Sequence, residues 1–236
     1  MHAQSAELVG PQSFTSLPIS YRRPLHIGPA QADVANASLY RLASVAGLGS
    51  ALILLVNAAK RSALIPTTDL TQLLAPFAEV MALGLITGLF LAFGRRAGRF
   101  GTVAFIVNFI ALACLVGVEV VINLVFSKLP VTAITDLRTG PLGIFLTVSS
   151  MLFLLGTLTF VISLAIGRDV PRLPLALYFI GAVPIALRAF VPELVLDLGL
   201  VILAAAIVWL AGWLWVRASA DDGIGAKGEA ILAART

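Results

Sequence analysis

Six continuously apolar runs divide the chain, at residues 42–59, 73–93, 100–126, 141–166, 173–189 and 194–216. Runs of this length cross about 30 Å of hydrocarbon as α-helices. A β-barrel would instead show short segments of alternating polarity. The breaks between the runs carry helix punctuation: "IPTTDLTQ" at 65–72, "GRRAGR" at 94–99, "SKLPVTAITDLRTGP" at 127–141, "GRDVPRLP" at 167–174 and "RAFVPE" at 188–193. The pattern predicts an all-α, polytopic membrane protein, a bundle of six transmembrane helices. The third and fourth runs exceed the span needed, so tilt or a protruding end is expected. The segments outside the runs read as a flexible N-terminal tail over 1–34 and a C-terminal tail over 218–236, flanking a transmembrane domain over 35–217.

Composition supports this class. Of 236 residues, 59% are hydrophobic and 12% charged, where a soluble domain carries about a quarter charged. The basic residues orient the bundle. Arg22, Arg23, Arg41, Arg95, Arg96, Arg99, Arg168, Arg172, Arg217, Lys227 and Arg235 fall on one side, against Lys60, Arg61, Lys128, Arg138 and Arg188 on the other. Positive residues favour the cytoplasmic side, so both termini are expected there. Trp209, Trp213 and Trp215 then lie at the cytoplasmic end of the last helix, as an interfacial anchor. Basicity scattered over short loops gives no footprint for nucleic acid; the partner it implies is the lipid bilayer.

Polar residues inside the runs gather on the outer side. Glu119 and Asn123 in "CLVGVEVVIN" are four residues apart and share one helix face, with Asn108 about three turns earlier on the same stripe. The second run carries Gln72 and Glu79 with Pro76 between them, and Asp69 with Gln72 reads as a helix N-cap and its partner. Asn57 and Arg61 share a face beside Lys60, Arg188 follows a kink at Pro184, and Glu193 and Asp197 open the last helix four residues apart. Charges at membrane depth face protein or water, not lipid, so these ends are expected to converge on an outer polar cavity. Glu79 and Glu119 are its candidate catalytic residues, and Asn57, Lys60, Asn123, Arg188 and Asp197 its candidate substrate-binding residues. Two pairing patterns also fit the sequence, Arg188 with Glu193 or Glu119 and Lys60 or Arg61 with Glu79, and these would tie helix ends together without any chemistry. The asparagines also read as interhelical hydrogen-bonding residues.

Other chemistries lose their residues. Cys114 is the single cysteine, and His2 and His26, both in the N-terminal segment, are the only histidines. A disulfide within one chain, a bis-histidine haem, a histidine zinc site and a Ser-His-Asp triad therefore cannot form in the spans. No GxxxxGK[ST], GxGxxG, GxSxG or HExxH motif occurs, nor an Asp-rich diphosphate motif; no cofactor or metal is expected. "GLITG" at 84–88 spaces Gly84 and Gly88 for close backbone approach, either inside the bundle or between two copies in a homo-oligomer.

The chain resembles a bacterial family of small six-span membrane proteins described only as a domain of unknown function. The match rests on the glutamate within "LLAPFAEVMALGLITGLFLAF", the polar-faced third span and the passage "DVPRLPLALYFIGAVP" into the fifth, over residues 40–190. It implies the fold and little about activity; the N-terminal tail, Glu119 and Arg188 lie outside it. The chain is also similar in length to small membrane-bound terpene cyclases, which use buried carboxylates to protonate an olefin or epoxide and usually have seven spans. That likeness implies Glu79 and Glu119 as acids, with Phe77, Phe109, Phe126 and Phe190 facing a cation.

Three function classes remain open on these residues. The first is an intramembrane acid–base enzyme acting on a lipid or isoprenoid. The second is a proton- or cation-linked transporter or binding protein, and the third a structural subunit. The cytoplasmic half offers only Ser44, Ser50, Thr87, Thr157, Thr159 and Ser163 as polar lining, which favours a blind outer cavity, and hence the enzyme, over a through-path.

Overall fold

The computed structural model describes the backbone of residues 29–233 and the side chains of residues 36–219. Eight α-helices follow in order: α1 Pro29–Arg61, α2 Asp69–Leu74, α3 Phe77–Ala92, α4 Gly98–Val120, α5 Val131–Thr139, α6 Pro141–Ile166, α7 Arg172–Ala186 and α8 Glu193–Ala233. No strand occurs among the described residues. Five segments are long and apolar enough to cross a membrane: Asn36–Arg61, Asp69–Ala92, Gly94–Lys128, Pro141–Ile166 and Glu193–Ser219. Their outward faces are lined by exposed aliphatic residues such as Leu52, Val103 and Ile144, as expected of a multi-pass membrane protein. The fifth apolar run forms only the 15-residue α7, about 22 Å long. Pro184 cannot donate to the ladder, and the helix ends two residues beyond it.

Several boundaries differ from the sequence reading. Helix α1 begins inside the expected N-terminal tail, of which residues 1–28 lie outside the described residues, and α8 runs well past residue 217. The second run is two helices, because Pro76 interrupts it and becomes the N-cap of α3. Helix α2 is capped by Thr68, not by Asp69: the Thr68 hydroxyl accepts from Thr71 N–H, and Thr71 Oγ1 accepts from Thr68 N–H. The loop expected over 127–141 contains α5, whose Val131, Ile134 and Leu137 recur at helical spacing. Helix α4 runs on through a π turn, Val121–Val125, in which Phe126 N–H reaches back to Val121 O.

The long helices close a ring, in the packing order α8, α1, α3, α4, α6, α7 and back to α8. Phe153, Phe160, Leu85, Ile86, Ile207 and Leu210 fill it. Lipid is as apolar as these side chains, so close packing rather than exclusion of water must hold the helices together. Glycines permit that contact. A Cβ on Gly88 would lie 2.3 Å from Ala43 Cβ, one on Gly181 2.5 Å from Leu203 N, and one on Gly156 2.8 Å from Asn108 Cα. Gly84 meets Ala46 in the same α1–α3 seam, so the close approach offered by "GLITG" is used within the chain.

Contacts at the two ends show that helix directions alternate. At one end Arg96 pairs with Asp169, Phe93 packs on Trp213 at 4.5 Å and Arg41 lies 5.9 Å over the Trp215 ring. The opposite end holds the last turns of α1 and α7, the π turn after α4 and the first turn of α8.

Candidate functional site

The end of α1 supplies the first cation. Lys60 is buried, and its Nζ donates to Asn123 Oδ1 at 2.8 Å and to Gln72 Oε1 at 3.4 Å. Asn123 uses its other side-chain atom for Glu119: Nδ2 donates to Glu119 Oε2 at 2.7 Å and to Glu119 O at 3.1 Å. Arg188 Nη1 donates to the second carboxylate oxygen, Glu119 Oε1, at 2.7 Å. The result is one linear network, Lys60–Asn123–Glu119–Arg188, joining α1, α4 and the end of α7. The π turn contributes by opening the helix where Asn123 must reach both back to Glu119 and across to α1; such turns recur at functional sites.

This network walls a polar cavity of about 330 Å³, also lined by Asn57, Arg61, Thr67, Gln72, Ile122 and Glu193. Of the expected site residues, Asn57, Lys60, Glu119, Asn123 and Arg188 are therefore brought together. Asn57 is half-buried and makes no side-chain hydrogen bond among the described residues. A second cavity of about 180 Å³ adjoins the first, sharing Ile122 and Arg188 as walls. Its other lining combines apolar Val118, Leu146, Met151 and Phe190 with the hydroxyls of Thr147 and Ser150 and with Arg138. Arg138 lies 5.9 Å over the Phe126 ring.

Two expected site residues lie elsewhere. Asp197 accepts from Arg61 Nε at 3.2 Å and from Ser62 Oγ at 2.9 Å, and it lines a separate groove between α1 and α8. Arg61 also pairs with Glu193, so these residues tie α1 to α8. Glu79 is buried deeper and joins neither Lys60 nor Arg61. It borders a void of about 20 Å³ beside Ser50 and Leu54, and Ser50 sits ten residues, about 15 Å, before Lys60 along α1. Glu79 Oε2 and Ser50 Oγ both lack a hydrogen-bond partner among the described residues, and the void can hold one water molecule. Asn108 also leaves the site, its Oδ1 accepting from Thr157 Oγ1 of α6 at 3.3 Å.

The sequence pattern gives no sign of Thr67 or of the second cavity; it sets Arg61 and Gln72 among the outer polar residues without making them site residues, and Arg138 only among the outer basic ones. The helical spacing of α5 was the one signal that Arg138 would be held against the bundle. The aromatics expected to face a cation do not share a cavity: of Phe77, Phe109, Phe126 and Phe190, only Phe190 lines the pair of pockets. Among the described residues, no three His, Cys, Asp or Glu side chains converge as a metal would need. No protein-family model, no curated protein and no solved structure matches the chain.

Proposed function

We propose that this chain is a six-pass protein of a bacterial inner membrane, with both termini cytoplasmic and α7 as the short sixth crossing. In this reading it takes an amphiphile, a lipid or isoprenoid, from the bilayer into the paired outer cavities and acts on it by acid–base chemistry. The carrying observation is that Arg188 and Ile122 are common walls of a polar cavity and a more apolar one. A polar head and an apolar tail would each meet a matching surface, with Arg188 at their junction. Glu119 is the buried carboxylate that lines the polar cavity, within reach of a bound head. Glu79 borders neither cavity and is not assigned a chemical role. General acid–base catalysis needs a group within hydrogen-bond distance of the proton it moves, and Glu119 meets that condition by position.

The structural-subunit reading has its own support, since both oxygens of Glu119 are already satisfied by Asn123 and Arg188. One experiment separates them. The purified protein is placed in nanodiscs made from a total bacterial lipid extract, and the lipids are followed by mass spectrometry. The enzyme reading expects one species to be consumed by the parent and retained unchanged by Glu119→Gln, or by Glu119→Asp where the first variant fails to fold. An unchanged lipid profile with nothing selectively retained would overturn the enzyme reading.

A further inference from the structure

We infer that the head of the bound molecule is an anion, a phosphate or carboxylate, held between Lys60 and Arg188; this rests on the amphiphile-binding reading above. The observation is a charge imbalance in the walls of the two cavities. Lys60 is 8% exposed, yet both of its acceptors, Asn123 and Gln72, are neutral amides. No carboxylate lies within ion-pair distance of its ammonium among the described residues. Arg188 lines both cavities and meets one carboxylate through one nitrogen, and its other N–H groups have no protein acceptor among the described residues. The buried network of Lys60, Asn123, Glu119 and Arg188 thus holds two cations and one anion.

The adjacent Arg61–Glu193–Asp197 group carries one cation and two anions, but Asp197 lines a separate groove, so the walls of the two cavities keep more cations than anions. Glu193 lines the polar cavity but is taken by Arg61, which also engages Asp197. At the second cavity the added charge is again positive: Arg138 lies over Phe126 with no carboxylate partner among the described residues. A buried cation without a counter-ion is costly at membrane depth, and an arriving anion removes that cost. Arg188 offers the forked donor geometry suited to phosphate and carboxylate, and Lys60 a point charge. The tail would leave past Val118, Met151 and Phe190.

The test is thermal unfolding in dodecyl maltoside micelles, with dodecyl phosphate, dodecyltrimethylammonium or inorganic phosphate added, the two amphiphiles at equal mole fraction. The expected result is a rise in Tm of about 5 °C with dodecyl phosphate at saturation. The rise should be lost in Lys60→Met and reduced in the exposed-site variant Arg138→Gln, which keeps the buried network intact. An equal rise with dodecyltrimethylammonium overturns the anionic head while leaving amphiphile binding standing. A full rise with inorganic phosphate alone supports the anion site with a soluble source, and removes the amphiphile. No rise with any of the three overturns both.

Discussion

Arg188, just beyond α7, donates from Nη1 to Glu119 Oε1 of α4 at 2.7 Å, across 69 residues of sequence. The carboxylate is almost fully buried and the guanidinium largely so. Such a pair costs desolvation on both sides, and its removal is asymmetric. Taking away one partner strands the other charge, whereas removing both strands nothing.

That asymmetry gives the first prediction. Glu119→Gln and Arg188→Met should each lose about 3 kcal/mol of stability. The double variant should lose less than either alone. Denaturant unfolding in detergent, analysed as a double-mutant cycle, checks it; strictly additive losses would show that the two residues do not depend on each other.

Glu79 should behave in the opposite way. Its Oε2 has no hydrogen-bond partner among the described residues, and neither has Ser50 Oγ beside it. Glu79→Gln should leave stability unchanged or raise it, and Ser50→Ala should gain about 1 kcal/mol by removing an unsatisfied buried group. A loss near 3 kcal/mol for Glu79→Gln in the same unfolding assay would reveal a charged partner that this geometry lacks.

Helix approach should be sensitive at one glycine and insensitive at another. A Cβ on Gly181 would meet the Leu203 backbone at 2.5 Å, while one on Gly212 would meet nothing within 4 Å. Gly181→Ala should therefore cost about 1–3 kcal/mol through overpacking. Gly212→Ala should be neutral or gain about 1 kcal/mol from helix propensity. Melting temperatures of the two variants, compared side by side, decide it; equal values would mean α7 and α8 are not in backbone contact.

The alternation of helix directions, together with the cytoplasmic termini proposed above, predicts a labelling pattern. In a Cys114→Ala background, Leu64→Cys and Ala189→Cys should react with a membrane-impermeant maleimide on intact cells. Ser219→Cys should react only after permeabilisation. Labelling of Ser219→Cys on intact cells with Ala189→Cys protected would mean that α7 does not cross.

Much of the architecture was legible without coordinates, because it is written in local pattern. An apolar run of membrane length forces a helix, since backbone polar groups in lipid must be satisfied within the segment. Spacing alone placed Glu119 and Asn123 on one face, and they are hydrogen-bonded to each other. It also gathered Asn57, Lys60 and Arg188 at the same end. Helix lengths were less legible: Pro76 splits the second run into α2 and α3, and the helix over the fifth run stops just past Pro184.

What the chain alone determined is therefore the helical class and the end of the bundle at which the polar residues collect. Partner choice was decided only in three dimensions. Glu79 and Glu119 look alike in sequence, each a lone carboxyl in an apolar run. Yet Glu119 emerges level with Lys60 and Arg188, while Glu79 emerges lower, beside Ser50. A periodic pattern records which face a residue occupies. It does not record how far one helix slides along its neighbour, and that slide separates a carboxylate held in an ion pair, level with Lys60, from one set beside Ser50, ten residues earlier on α1.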